Sequence, residues 1–236
     1  DLHSFPTRRS SDLPGYSAES AVFEWQLADG RNRQRSTIFS FYDTAGEDLA
    51  SMDRTRELNY LAATDGVILL LDPFGFTGNH DLARSKGVDE DLLHDRPEDV
   101  LRNIVELLRQ ADQVGSKKKI SRPLAVVVSK IDAFFDSIDE DSPLRRPSSD
   151  QPYFDEAESL EVHEHVAMLL DEWSGGGLLR MLELNFSTFR LFAASALGAE
   201  PDYARRTANP RGVLPHRVAE PLLWLMARRG FLPKEG

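Results

Sequence analysis

Three short groups of residues in this sequence are of types that bind ligands, and each follows a stretch predicted to be a β-strand. The first group is DTAGE at residues 43–47, directly after the predicted strand 37–42. The carboxylate of Asp43 could hold Mg²⁺ through water. The backbone N–H of Gly46 could approach a terminal phosphate, because glycine has no side chain in the way. An Asp-Gly turn before a helix explains the same residues equally well.

The second group is SKID at residues 129–132, which follows the apolar run 124–128. The carboxylate of Asp132 could accept two hydrogen bonds from the N1–H and the exocyclic amine of guanine, a pair of donors that adenine does not offer. The aliphatic stem of Lys130 could lie over the plane of the base. A solvated Lys-Asp pair in a loop is the alternative interpretation.

The third group is ASAL at residues 194–197, after the predicted strand 186–193. The small side chains of Ser195 and Ala196 would let backbone N–H groups approach the carbonyl of a purine. Ala-Ser runs are common, so this group gains meaning only beside the other two. An Asp-Pro pair at residues 72–73 also follows a predicted strand, and it could either approach the same ligand or form a turn.

The elements that would position these groups alternate between strands and helices, and the 236 residues allow one domain of ordinary size. Continuous apolar runs at residues 66–71 and 124–128 are typical of strands buried on both faces. Residues 21–27 and 37–42 are predicted to pair as an antiparallel hairpin. Apolar spacing predicts three longer helices, at residues 97–114, 156–173 and 214–229. The predicted fold class is therefore α/β, with a mostly parallel sheet flanked by helices.

Together the three groups resemble the switch II motif and the two base-reading motifs of Ras-like P-loop GTPases, in the wider translation-factor-related class. Their order is the same, with the phosphate motif first and the two base motifs after it, and DTAGE is a close match. Ser129 stands where Asn or Thr is usual, and Leu197 stands where Lys is frequent. The resemblance covers residues 21–229, and the extra sequence between the base-reading motifs is similar to that of bacterial double-GTPase-like proteins.

The resemblance implies a Ras-like P-loop NTPase fold, a guanine nucleotide (GTP or GDP) and Mg²⁺ as ligands, and a protein effector or regulator as partner. It implies a cytoplasmic molecular switch that binds and hydrolyses GTP in its intact form. The implied roles are Mg²⁺ binding by Asp43, γ-phosphate sensing by Gly46, action on the attacking water by Glu47, base reading by Lys130 and Asp132, and support of the base by Ser195 and Ala196. Glu47 replaces the glutamine of many relatives, and the effect of its negative charge on the rate is open.

The phosphate-cradling loop of that family, G-x-x-x-x-G-K-[ST], does not occur in this sequence. In compact relatives its Lys lies about forty residues before the switch II Asp, which from Asp43 points into the first residues of the chain. Residues 1–13, DLHSFPTRRSSDL, resemble the translation of a common short-read sequencing adapter, with a natural polar tail as the alternative. We therefore expect residues 14–236 to be a partial GTPase domain that lacks the P-loop and the first strand. In the implied strand order that strand lies between the third and the fourth, so we expect poor folding and weak or no GTP binding.

The composition limits the alternatives. Lys and Arg total 28 and Asp and Glu total 39, a net charge of −11, which disfavours binding to nucleic acid or to a membrane surface. There is no cysteine, so disulfides, thiolate metal sites and cysteine nucleophiles are excluded. No apolar run approaches the roughly 20 residues of a membrane span. Two other interpretations stay open: a non-catalytic, GTPase-derived interaction module, and a plain α/β domain with chance motifs.

Overall fold

A computed structural model describes residues 20–28, 34–42, 61–93, 96–149, 153–203, 205, 207–210 and 212–235. The chain divides into two compact units, Asp1–Asp53 and Arg54–Gly236, and each is described by itself. The candidate groups at residues 129–132 and 194–197 are described in the second unit, whereas residues 43–47 lie outside the described residues.

The first unit contains an antiparallel hairpin, and its pairing confirms the one predicted from the sequence. Strand β1 (Ser20–Ala28) pairs with strand β2 (Gln34–Tyr42), and Ser20 lies opposite Tyr42. The predicted turn at residues 29–30 lies outside the described residues.

The second unit is built on a three-stranded parallel sheet. Strands β3 (Val67–Leu71), β4 (Leu124–Val128) and β6 (Phe189–Ala193) lie side by side in that order. Because all three run in the same direction, their carboxyl ends meet at one edge of the sheet. Two short strands, β5 (Phe154–Asp155) and β7 (Lys234–Glu235), form a separate parallel pair. The predicted α/β class with a parallel sheet is confirmed.

Helices of the second unit follow the predicted alternation with strands. The described α-helices are α1 (His80–Lys86), α2 (Pro97–Ala111), α3 (Glu156–Glu172), α4 (Gly176–Asn185) and α5 (Glu220–Arg228). Shorter 3₁₀ segments lie at Pro73–Gly75, Thr77–Asn79, Glu90–Leu93, Ile131–Ser137 and Pro143–Arg145. No helix in the described ranges combines the length and the apolar character that crossing a membrane requires.

The helices cover the sheet, with α3 packed against β6 and α5 against β4. All five residues of β4 are buried, as expected of the central strand. On α2, Leu101 and Leu108 are fully buried on one face of the helix, and this helix packs against α4. The rings of Phe192 on β6 and Trp224 on α5 meet edge to face, with centroids 6.0 Å apart, and join the last helix to the sheet.

Strand β3 departs from the prediction that both of its faces are buried. Leu69 and Leu71 are 7% and 2% exposed, whereas Leu70, on the opposite face, is 66% exposed. Among the described strands β3 pairs only with β4, so it is an edge strand of this sheet. A strand with one neighbour is covered less completely than a central strand, and an apolar run in the sequence does not distinguish the two cases.

The last helix begins later than the predicted segment 214–229. It starts at Glu220, because the residues before it make other backbone contacts or have a non-helical backbone conformation. The backbone of His216 pairs with a residue of the third candidate group, and Arg217 has a φ of +53°, outside the right-handed helical region. Pro221 then lies in the first turn, where its missing N–H is tolerated.

The predicted helix 156–173 is confirmed in outline, but the glycine-rich residues after it lead into a second helix rather than a loop. Helix α3 ends at Glu172 and α4 begins four residues later at Gly176. Gly175 permits this close turn, because a Cβ at that position would lie 2.8 Å from the carbonyl oxygen of Leu170.

Candidate functional site

The carboxyl ends of β3, β4 and β6 bring the two described candidate groups to one edge of the sheet, here called the strand-end edge. The backbone N–H and the hydroxyl of Ser129 both donate to the carbonyl of Leu71, each at 2.9 Å. On the other side, the N–H of Ile131 donates to the carbonyl of Ala194 at 3.3 Å. Open α/β sheets bind their ligands at this end of the strands. The described site residues on this edge are Lys130, Asp132, Ser195 and Ala196.

Lys130 is held toward the end of β3 by Asp72. Its ammonium forms an ion pair with Oδ2 of Asp72, while Oδ1 of that carboxylate accepts a hydrogen bond from the N–H of Phe74 at 3.0 Å. The ammonium also lies 5.8 Å from the centre of the Phe74 ring, a cation–π distance. Asp72 thus both shapes the turn after β3 and contacts a candidate residue. Lys130 has a φ of +54°, which non-glycine residues adopt rarely and which costs backbone strain.

Asp132 is a buried acceptor at the end of β4. It lies in the first turn of the 3₁₀ segment Ile131–Ser137 and is only 7% exposed. No hydrogen bond or ion pair joins its carboxylate to any other residue in the described ranges. A carboxylate that keeps its acceptor capacity at the end of a strand is suited to a ligand that brings donors.

Ser195 shapes a tight turn after β6, here called the Ser195 turn (residues 195–198). Its Oγ accepts hydrogen bonds from the N–H groups of Leu197 at 3.2 Å and Gly198 at 2.7 Å. Its backbone exchanges two hydrogen bonds with His216, at 3.0 and 2.8 Å. The hydroxyl oxygen is therefore an acceptor within the turn. Ala196 is an exposed residue of this turn, and its N–H has no backbone acceptor among the described residues.

Three residues that no motif indicated also belong to this region: Phe74, Tyr203 and His216. The Phe74 ring is fully buried and packs against Phe134 and Tyr203, with centroids 5.6 and 5.7 Å away. Burial lowers the pKa of His216, whose Nε2 donates to the carbonyl of Leu144 at 2.8 Å. The position of Phe74 just after an apolar run is a usable sequence signal. Tyr203 and His216 lie in a stretch without periodicity and give none.

The predicted phosphate and metal residues cannot be compared with this geometry, since Asp43, Gly46 and Glu47 lie outside the described residues. Within the described ranges, no group of three or more His, Asp or Glu side chains could hold a metal ion. The Mg²⁺ prediction therefore rests on the sequence alone.

Two cavities of the second unit lie away from the strand-end edge. One, of about 670 Å³, runs along α3 and is lined by Glu158, Glu161 and Glu164, of which Glu158 and Glu161 are ion-paired with arginines. The other, of about 360 Å³, lies at the amino ends of the strands beside Arg122 and Arg229. That is the opposite end from the one at which open α/β sheets bind ligands. The candidate site is therefore the strand-end edge, where an acceptor and a donor that lack partners among the described residues follow neighbouring strands.

The fold and this edge define the class of protein no further than an α/β domain with unpaired polar groups at the ends of its parallel strands. Comparison with protein-family models, with curated proteins and with solved structures finds no match to this chain. Function must therefore be argued from the site itself.

Proposed function

We propose that the strand-end edge binds the base of a guanine nucleotide, in a domain of the Ras-like P-loop GTPase type. The observation that carries this proposal is that a hydrogen-bond acceptor and a hydrogen-bond donor follow neighbouring strands. The carboxylate of Asp132, a residue that is 7% exposed, and the N–H of Ala196 follow neighbouring strands, and neither has a partner among the described residues. Guanine offers the complementary pattern, with N1–H and 2-amino donors next to a 6-carbonyl acceptor.

Adenine offers the opposite pattern. It has no hydrogen at N1, and its 6-amino group is a donor that would face the donor N–H of Ala196. With adenine bound, the carboxylate of Asp132 would stay buried without a donor, at a cost of about 1–3 kcal/mol. We therefore expect this edge to prefer guanine over adenine by at least about tenfold.

Lys130 supports the base through its aliphatic stem rather than its charge. The ammonium is engaged by Asp72 and by the face of the Phe74 ring. The stem therefore extends from the end of β4 toward the end of β3 and offers an apolar surface on which a purine can stack.

The strand order supports the finer fold assignment. In the Ras-like sheet the last three strands lie side by side in chain order, as β3, β4 and β6 do. The first strand of that fold would lie beyond β3, on the edge that has no partner among the described strands.

The phosphate-binding part of the proposal rests on the resemblance of residues 43–47 to the switch II motif of Ras-like GTPases. For the intact protein we propose Mg²⁺ binding by Asp43, γ-phosphate sensing by Gly46 and action of Glu47 on the attacking water. GTP hydrolysis, a bacterial cytoplasmic setting and a protein effector or regulator belong to the same proposal. Because the described residues contain no donor set for a metal ion, no step is derived through Mg²⁺.

The base-reading part can be tested on this chain with nucleosides, which carry the base without phosphates. We expect saturation-transfer NMR titrations to give a guanosine affinity at least about tenfold above that of adenosine. Asp132→Asn should move the preference from guanosine toward xanthosine, because an amide can donate to the 2-carbonyl of xanthine. Asp136→Asn is the matched control, since it removes the same charge from an exposed position of the same 3₁₀ segment and should not alter selectivity.

Equal affinity of the wild type for guanosine and adenosine would contradict the proposal. Unchanged selectivity in Asp132→Asn would remove Asp132 from base reading. A folded wild type with no nucleoside selectivity would favour the alternative function, a non-catalytic GTPase-derived interaction module. In the sequence, Glu47, Ser129 and the absent P-loop support that alternative.

A further inference from the structure

Beginning at Gly198, the last residue of the Ser195 turn, the described residues of the segment 198–213 form a loop that is closed at its base. Gly198 opens the loop with a φ of +71°, and a Cβ there would lie 1.7 Å from the carbonyl oxygen of Leu214. The N–H of Leu214 donates to the carbonyl of Leu197 at 3.0 Å. The loop therefore starts from, and returns to, the turn that carries the unpartnered N–H.

Two further contacts fix the course of this loop. The ammonium of Lys86, at the end of α1, lies 2.6 and 2.7 Å from the two carboxylate oxygens of Glu200. The backbones of Asp202 and Thr207 exchange two hydrogen bonds, at 3.0 and 3.2 Å. These two hydrogen bonds bridge the chain on either side of Tyr203, which directly follows Asp202.

Tyr203 reaches from this loop back to the strand-end edge. Its ring meets the Phe74 ring edge to face, with centroids 5.7 Å apart and planes at 85°. The ammonium of Lys130 lies over the same Phe74 ring. Tyr203 and Lys130 thus come from different loops and converge on one aromatic side chain at the proposed base site.

The hydroxyl of Tyr203 is buried and makes no hydrogen bond to any described residue. Burial, followed by the nearby carboxylates of Glu200, Asp132 and Asp72, raises the pKa of the Tyr203 phenol. The hydroxyl therefore keeps its proton at neutral pH and remains a donor. Asp132 is close enough for its charge to act on the phenol, yet the two groups are not bonded to each other. A buried donor without an acceptor destabilises a fold, so this one is suited to a ligand that brings an acceptor.

We propose that Tyr203 is a further base-contacting residue, whose hydroxyl donates to the 6-carbonyl of the bound purine. This inference rests on the proposed function and adds a specificity-determining side chain to it. The N–H of Ala196 and the hydroxyl of Tyr203 would then serve the two lone pairs of one carbonyl oxygen, while Asp132 accepts from N1–H. The loop of residues 198–213 thereby contributes to the choice of base.

The test is Tyr203→Phe, which removes the hydroxyl and keeps the ring on Phe74. We expect its affinity for guanosine to fall about tenfold, and its affinity for inosine to fall by the same factor, because both bases carry the 6-carbonyl. Its affinity for adenosine should not change, since adenine has an amino group there. The melting temperature should stay the same or rise, because an unpartnered buried donor has been removed. Tyr153→Phe, just before β5, is the control for loss of a phenol hydroxyl and should bind all three nucleosides like the wild type.

If the wild type prefers guanosine and Tyr203→Phe binds it equally well or more tightly, this inference is overturned while the proposed function stands. A loss of affinity with a lower melting temperature would attribute the effect to folding and would also overturn it. If the wild type binds none of the three nucleosides, the proposed function fails and this inference fails with it.

Discussion

The Nδ1 atom of His163 lies 3.0 Å from the backbone nitrogen of Leu191 and accepts its hydrogen bond. Leu191 is in β6, an edge strand of the described sheet, so this histidine of α3 satisfies an N–H that no neighbouring strand takes up. Neutral imidazole can accept a hydrogen bond, whereas imidazolium carries a hydrogen on both nitrogens and cannot. The contact between helix and strand therefore depends on the protonation state of one ring.

We expect the free energy of unfolding to fall as the pH is lowered below about 6.5. Burial, and then the charge of Arg190, lowers the pKa of His163 in the folded chain below its ordinary value of 6.5. When folding lowers the pKa of a group, its contribution to stability is complete above the unfolded pKa and is lost as the pH falls toward the folded pKa. Urea unfolding curves measured from neutral to acid pH would show this loss.

The variant His163→Phe separates the contribution of His163 to the pH dependence of stability from that of His216. The distinction is needed because burial also lowers the pKa of His216. The variant leaves the N–H of Leu191 without an acceptor, so at neutral pH it should be about 1–3 kcal/mol less stable than the wild type. The difference should shrink as the pH falls, since the wild type then loses the same hydrogen bond. A difference that stays constant across this range would contradict the assignment to His163.

Lys130→Gly should be more stable than Lys130→Ala by about 1 kcal/mol. Both variants lose the ion pair to Asp72 and the contact with Phe74. The difference between them therefore reports the cost of a φ of +54° for a residue that has a Cβ. Chemical unfolding of the two variants side by side measures it. Equal stabilities would mean that the backbone relaxes to negative φ once the long side chain is gone.

Gly198→Ala should destabilise the chain much more than Gly230→Ala. Their φ values are +71° and +75°, so each variant incurs about 1–2 kcal/mol of left-handed strain. At Gly230 the new Cβ meets no atom within 4 Å, whereas at Gly198 it would lie 1.7 Å from the carbonyl oxygen of Leu214. We expect the unfolding free energy of Gly198→Ala to fall by at least about 3 kcal/mol. Similar losses of unfolding free energy at the two positions would show that the segment around Leu214 moves easily to accommodate the new Cβ.

Arg217→Met should lower the unfolding free energy by about 3–5 kcal/mol. The side chain of Arg217 is 1% exposed and lies 2.8 Å from a carboxylate oxygen of Glu220 and 2.9 Å from one of Glu158. Removing the guanidinium leaves both carboxylates without their countercharge.

A double-mutant cycle tests this interpretation. Burial raises the pKa of Glu220, so that carboxylate is the more costly of the two to leave charged. Adding Glu220→Gln to Arg217→Met should therefore recover part of the lost stability. Strictly additive losses from the two substitutions would contradict the pairing.

Sequence periodicity predicted the elements whose pattern of burial is regular along the chain. Strand β4 is apolar throughout because it is central, and α2 combines Pro97 at its start with apolar residues on one face. The same reasoning failed for β3, where Leu69 is buried and Leu70 is exposed. An unbroken apolar run does not reveal whether a strand has a neighbour on both sides, because that depends on the assembled sheet.

Residue type and order were enough to bring Lys130, Asp132 and the Ser195 turn to one edge, because parallel strands end on the same side. They did not indicate that the Ser195 hydroxyl would be engaged by its own turn. They also gave no sign of Tyr203, whose position is set by Phe74 and by the closure of its loop rather than by any local pattern. The roles predicted for residues 43–47 stay predictions, since those residues lie outside the described ranges.

The segment between the second and third candidate groups is tied to the core by Arg217. Its guanidinium donates to the carbonyl oxygens of Pro143 at 3.1 Å and Arg146 at 2.9 Å, while the adjacent His216 holds the carbonyl of Leu144. A surface loop ordinarily tolerates deletion of residues with little effect. Deleting this one would remove two acceptors from a buried cation and loosen the backbone that supports the Ser195 turn. We therefore expect the loss of this segment to be tolerated only together with a compensating change at position 217.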